Sequence, residues 1–215
     1  YYHKQCRIIE FPRYASFAQA FPGTMPYSEA IGFIIDLEDE TDNNIVDADA
    51  ALEMVREFAD KHAVVVVKHL NPAGLATGDT LEEAFEAAWE GDPVSAFGSV
   101  IACSSKVDLA TAKRLQGRFV EIILAPGFDE DALEFLIKKS KQIRILEIRN
   151  VKKALPGKVL KHVIGGLLIQ DRDVETFAKW EVVTKTPFPK EKLALAEFIW
   201  IVTKHTKSNA IVMCH

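Results

Sequence analysis

The sequence predicts an α/β layered fold, a sheet flanked by helices that leave it largely buried. Three observations carry this expectation. Residues 63–67, one alanine and four valines, have no polar face, as in a strand covered on both sides. Residues 80–90 place Leu81, Ala84, Phe85, Ala88 and Trp89 on one helical face behind a capping box of Thr80 and Glu83. Around these two segments, helical stretches alternate with short runs of branched residues through most of the chain.

The elements follow in order. Residues 1–26 are aromatic-rich and carry Pro12, Pro22 and Pro26, which favours an irregular or partly extended arm; residues 1–41 form a divergent N-terminal segment. Ala51, Leu52, Val55, Phe58 and Ala59 recur at helical spacing within 49–62, so a helix precedes the valine strand. After the capped helix come a strand at 99–103, a helix at 108–115 and a strand at 119–124. Residues 129–139 put acids first and lysines last, as the helix dipole prefers, and a strand at 142–148 follows. A basic connector at 149–163 leads to strand candidates at 166–170 and 180–184. A helix at 190–207 and a final strand near Asn209 complete the series.

With 215 residues and 48% hydrophobic content, the chain can bury one large core or two small ones. Its 26 basic and 31 acidic residues give a net charge of -5 with no long block of either sign, which argues against a nucleic-acid partner. Cys6, Cys103 and Cys214 are too scattered for a disulfide framework or a zinc knuckle, as in a reducing compartment. No apolar run approaches the roughly 20 residues that span a bilayer, and no signal pattern opens the chain. A cytoplasmic protein without a membrane partner is expected. The start at Tyr1, and the end at His215 after the apolar run 210–214, read as a piece of a longer protein.

Four segments carry candidate chemistry. The valine strand ends in Lys68 and His69. In open α/β sheets ligands gather at carboxyl ends of strands, and imidazole is the side chain that exchanges protons near neutral pH. The alternative is that both residues cap the strand in solvent. The turn Asp92-Pro93-Val94-Ser95-Ala96-Phe97-Gly98 offers backbone amides to an anion or a flat ring, or is an ordinary loop. Glu121, within an apolar strand, must be an edge residue or a ligand contact, since a buried acid needs a partner. Asn209 follows a basic helix end and presents both a donor and an acceptor, or serves as turn chemistry. Zinc-dependent deamination is excluded, because His69 is followed by Leu70 and Asn71 and no Cys-x-x-Cys exists.

Together, Lys68-His69-x-Asn71-Pro72-x-Gly74, Asp92-Pro93-x-Ser95-Ala96-Phe97-Gly98, Phe119-Val120-Glu121 with Ala125-Pro126-Gly127-Phe128, and Lys207-Ser208-Asn209-Ala210 resemble the AICAR transformylase part of bifunctional purine-biosynthesis enzymes. Lesser echoes are Asn43-Asn44-Ile45-Val46-Asp47 before the first helix and Gly165-Gly166-Leu167-Leu168-x-Gln170-Asp171. The resemblance covers 42–215, the first half of a transformylase-like domain. It implies a fold like that of cytidine deaminase without the zinc. It also implies formyl transfer from 10-formyltetrahydrofolate to the 5-amino group of AICAR ribonucleotide, on the route to IMP.

By the same resemblance, His69 matches the proton-transfer histidine, Lys68 the neighbouring catalytic lysine, and Asn209 an asparagine at the reaction centre. Ser95, Phe97 and Gly98 match the nucleotide-contacting loop, Glu121 an acidic substrate contact and Asn44 a pocket asparagine. The chemistry is coherent. An aromatic amine conjugated to a carboxamide is a poor nucleophile and must lose its proton during attack, which suits His69. The formyl oxygen gains charge, which Lys68 and Asn209 can meet.

Family enzymes act as dimers, so a homodimer is implied. The family's upstream Arg-Tyr-Gly-x-Asn-Pro-His-Gln stretch, its second transformylase half and its cyclohydrolase domain have no counterpart in this sequence. That leaves a second reading, a truncated or divergent non-catalytic module that binds a purine-precursor nucleotide or a partner chain.

Overall fold

The computed structural model describes residues 7–9, 34–36, 42–140, 142–148, 151, 156–176 and 179–215. The arm expected over 1–26 lies outside the described residues, except for 7–9. Contacts divide the chain into two compact units, Tyr1–Asp42 with Ala154–Val174 and Asn43–Lys153 with Glu175–His215.

The larger unit is built on a mixed five-stranded sheet flanked by helices. Its strands are β3 (His62–Lys68), β4 (Asn71–Gly78), β5 (Ser99–Cys103), β6 (Val120–Ala125) and β7 (Arg144–Glu147), in the order β4-β3-β5-β6-β7. β3 runs antiparallel to both neighbours, whereas β5, β6 and β7 are parallel. Ala63 to Val67 are fully buried because β3 is paired on both edges and covered on both faces. Branched side chains suit that pleated environment.

Val64, Val66, Ile101, Cys103, Ile123 and Ala125 form one core with residues of α2 (Leu81–Glu90), α3 (Leu109–Lys113) and α4 (Glu130–Lys139). Val65, Val67, Val100, Ala102, Ile122 and Leu124 lie outside that cluster yet are equally buried, so the second face of the sheet is closed too. The expected capping box is present: Thr80 Oγ1 accepts from the Glu83 amide at 3.2 Å, and Glu83 Oε2 accepts from the Asp79 amide at 3.2 Å. Asp108 caps α3 in the same way, accepting from the Thr111 amide at 2.8 Å.

β4 approaches α2 so closely that a Cβ on Gly74 would lie 1.8 Å from the Ala88 carbonyl oxygen. Only glycine fits there. Pro72 is accommodated because β4 is an edge strand, and the register slips beside it between Val66 and Val67.

Several boundaries differ from the expected ones. The first helix, α1 (Asp42–Val55), begins seven residues before residue 49, so Asn43 to Asp47 lie within it. Its buried stripe includes Asp47, whose charge hides the apolar spacing. The helix expected to reach residue 62 gives way to a 3-10 turn, Arg56–Phe58. The segments 180–184 and 207–215 form no strand. Trp180 instead packs edge-on against Phe188 at 5.6 Å, and α5 (Leu193–His205) ends in irregular chain. No described helix is long and apolar enough to cross a membrane.

The smaller unit contains two antiparallel pairs, β1 (Arg7–Ile9) with β2 (Ile34–Asp36) and β8 (Lys158–Val163) with β9 (Gly166–Asp171). β8 lies in the stretch expected to be a connector. Its Lys158, Lys161 and His162 interrupt the apolar pattern, and pairing with β9 supplies the order instead.

Candidate functional site

The site grows from the turn between β3 and β4. Lys68 pairs with Asn71, leaving His69 and Leu70 as a two-residue hairpin turn. Their φ angles are 53° and 65°, both left-handed. Turns of this type normally recruit Asn-Gly, and a left-handed L residue costs roughly 1–2 kcal/mol. The Leu70 amide donates to Asp47 Oδ1 of α1 at 2.7 Å, which ties the turn to a buried carboxylate. His69 is exposed at the tip.

Lys68 reaches across to the loop before β5. Its Nζ donates to the Phe97 carbonyl at 3.1 Å and the Gly98 carbonyl at 2.6 Å. An ammonium has three N–H donors, so one is left to meet a ligand. Gly98 is required here twice over: its φ is 67°, and a Cβ would stand 3.0 Å from Lys68 Nζ and 3.3 Å from the Phe119 ring. The Gly98 amide donates to the Phe119 carbonyl at 2.9 Å, and the Phe97 and Phe119 rings meet at 5.2 Å. Phe97 remains 65% exposed, which leaves aromatic surface open for stacking.

The same loop corrects one expectation. Its backbone amides are spent within the protein: those of Val94 and Ser95 on Asp92 Oδ1, and those of Ala96, Phe97, Gly98 and Ser99 on nearby carbonyls. Ser95 Oγ donates to Asp92 Oδ2 at 2.6 Å, and the Ser95 hydroxyl and amide hold the Asp92 carboxyl below its ordinary range.

Asn71 brings in the fourth segment, since its Oδ1 accepts from the Lys207 amide at 2.9 Å. Asn209 follows two residues later and is exposed. The helix before it, α5, is anchored at its end: Lys204 Nζ and His205 Nε2 lie 2.7 and 3.3 Å from Glu57 Oε1. Burial pushes the Glu57 carboxyl up, but the bonds from His205 and Lys204 and their charges prevail and hold it at about 2. Phe198 of α5 packs on Phe58 at 5.3 Å beside this cluster.

Glu121 is not an edge residue, because β6 lies between β5 and β7. Ser99 pairs with Val120 and Val100 with Ile122, so Glu121 is the extra residue of a bulge. Bulges re-aim side chains, and this one lets Glu121 Oε2 accept from the Arg144 guanidinium at 3.2 Å. Asn44 is half-buried in α1, one turn before Asp47.

The carboxyl-end rule proves misleading here. β3 runs antiparallel to β5, so its carboxyl end sits beside the amino ends of β5 and β6, with Val67 opposite Val100. The site is therefore at the amino ends of the parallel strands. Direct hydrogen bonds join Lys68 to Phe97 and Gly98, and the 68–71 turn to α1 and to Lys207. Asp47 and Asn71 lie within the sequence motifs, but no local pattern gives either a task. A buried acid in a helix and a hairpin turn without glycine were the available signals.

Among the described residues, no group of three or more His, Cys, Asp or Glu side chains is placed to hold a metal ion. Cys103 is buried in β5 and its thiol is pushed up to about 12, which removes it as a nucleophile.

The AICARFT/IMPCHase bienzyme family matches residues 41–215, a stretch that contains every candidate site residue. The chain belongs to this family. Among its relatives, the bifunctional purine biosynthesis protein PurH of Lactobacillus delbrueckii subsp. bulgaricus is 52% identical over 176 residues, covering 80% of this chain and 34% of the relative. The PurH proteins of Lactobacillus acidophilus and Limosilactobacillus reuteri are 51% and 47% identical over the same shares. The chain thus spans about a third of the length of the AICARFT/IMPCHase relatives it matches.

Proposed function

We propose that this chain supplies the first half of an AICAR transformylase framework, spanning 42–215, and that the His69 turn is its reaction centre. The reaction is formyl transfer from 10-formyltetrahydrofolate to the 5-amino group of AICAR ribonucleotide. The amine nitrogen bonds to the formyl carbon, the carbon's bond to N10 of the folate breaks, and the leaving nitrogen takes up a proton. His69 accepts the proton that the attacking amine loses. The remaining donor of Lys68, with Asn209, meets the charge that grows on the formyl oxygen. Phe97 and Gly98 receive the nucleotide's ring, with Ser95, Glu121 and Asn44 as further polar contacts.

The observation that carries this reading is the pair of bonds from Lys68 Nζ to the Phe97 and Gly98 carbonyls, which joins two distant motifs at one point. A homodimer in the cytoplasm is the setting we infer from the family. Because the chain spans about a third of its relatives, the second reading stands beside the first: a module that binds the nucleotide or a partner chain without turning anything over.

Steady-state assays of the full-length protein, paired with calorimetry, separate the two. Folate-dependent formylation of AICAR ribonucleotide is the expected result. Saturable nucleotide binding without formyl transfer would replace the enzyme with the binding module.

A further inference from the structure

We propose that Asp47 is a positioning residue, which holds the His69–Leu70 turn in its left-handed conformation and so sets the direction of the His69 imidazole. The inference rests on the reading of His69 given above. The hairpin's own ladder ends at the Lys68–Asn71 pair, so the amide of Leu70, in the middle of the turn, needs a partner from elsewhere. Asp47 Oδ1 supplies it at 2.7 Å, from a residue of α1 that is itself only 8% exposed. A carboxylate is a stronger acceptor than a neutral oxygen, and this one acts on the peptide directly after His69.

Neither residue of the turn suits its backbone: His69 and Leu70 lie at φ 53° and 65°, where a glycine would be at ease. If the Asp47 bond is lost, the turn relaxes toward conformations open to L residues, and His69 swings with it. Asp47 reaches the chemistry only through the backbone that carries His69, which is why its role is positioning.

The test uses the full-length protein with Asp47→Ala, Asp47→Asn, Leu70→Gly and the double variant Asp47→Ala/Leu70→Gly. Asp47→Ala is expected to lower kcat for formyl transfer by about ten- to a hundredfold, the loss of one charge-assisted hydrogen bond, with KM for AICAR ribonucleotide changed less than about threefold. Asp47→Asn keeps the acceptor oxygen and recovers most of that loss. Leu70→Gly, which accepts the left-handed φ at no cost, restores kcat at least about fivefold in the Asp47→Ala background. Amide exchange of peptides containing Leu70 speeds up in Asp47→Ala and returns toward normal in Asp47→Asn.

The proposal is overturned if Asp47→Ala leaves kcat and Leu70 exchange unchanged. It is equally overturned if Leu70→Gly rescues nothing while the melting temperature falls with kcat, which is what a purely structural role in α1 would give. Absence of formyl transfer in the unsubstituted protein would sink the functional reading instead, and the exchange arm would still decide what Asp47 does to the turn.

Discussion

Two of the described hairpins close with two-residue turns, and they accommodate left-handed backbone in different ways. The β8–β9 turn is Ile164-Gly165, with glycine at φ 83° and open space around its Cα. The β3–β4 turn is His69-Leu70, with both residues left-handed and no glycine. In the first, glycine takes the left-handed position without strain. The second is held from three distant places: Asp47 on the Leu70 amide, the Phe97–Gly98 carbonyls on Lys68, and the Lys207 amide on Asn71. Strain survives where surrounding structure over-determines it, and such places gather at functional sites. The strained hairpin is the one that carries the candidate histidine.

The comparison breaks most visibly at two glycines. A Cβ at Gly74 in β4 would collide with the Ala88 backbone, whereas one at Gly166 in β9 would meet nothing within 4 Å. Gly74→Ala is expected to cost about 4 kcal/mol or to prevent folding, and Gly166→Ala less than about 0.5 kcal/mol, both read by urea denaturation. Equal costs would mean that β4 does not approach α2 as described.

The next effect concerns the anchor behind Lys207. Glu57→Ala strands Lys204 and His205 with most of their side chains buried and no carboxylate between them. The expected loss is about 3 kcal/mol in the same denaturation experiment. The pH dependence has a definite sign. The Glu57 carboxyl lies at about 2 in the folded chain against an ordinary 4.5, so its stabilisation is complete above 4.5 and lost as pH falls toward 2. Glu57→Gln should flatten the acid limb of the stability profile across that window.

A more local effect is expected at the unstrained turn. Gly165→Ala forces an L residue to φ 83° with no steric clash, so about 1 kcal/mol is expected, confined to hydrogen exchange of the β8–β9 hairpin. A loss of formyl transfer on this substitution would contradict the division between the proposed reaction-centre turn and a merely local one.

What the sequence made legible follows the same division. The valine strand, the capped helix at Leu81–Glu90 and the strand at Ser99–Cys103 declared themselves, because their apolar spacing is uninterrupted. Asp47 in the buried stripe of α1 makes the apolar spacing predict too short a helix, and lysines and a histidine mask the strand pattern of β8. β4 was hidden altogether. Asn71-Pro72-Ala73-Gly74 reads as a turn, and only pairing with β3 on an edge makes it a strand. The site motifs were visible one at a time, but their convergence depends on an antiparallel β3 that no local pattern specifies. Asp47 and Asn71 owe their tasks wholly to that convergence.

The central claim is that the strained turn presents His69 to the amine of the acceptor nucleotide. Its most direct test is kcat for formyl transfer in full-length His69→Ala, with nucleotide affinity measured in parallel. The account predicts a fall of at least about a hundredfold with affinity within about threefold of the unsubstituted protein. A variant that retains kcat within a few-fold would contradict it.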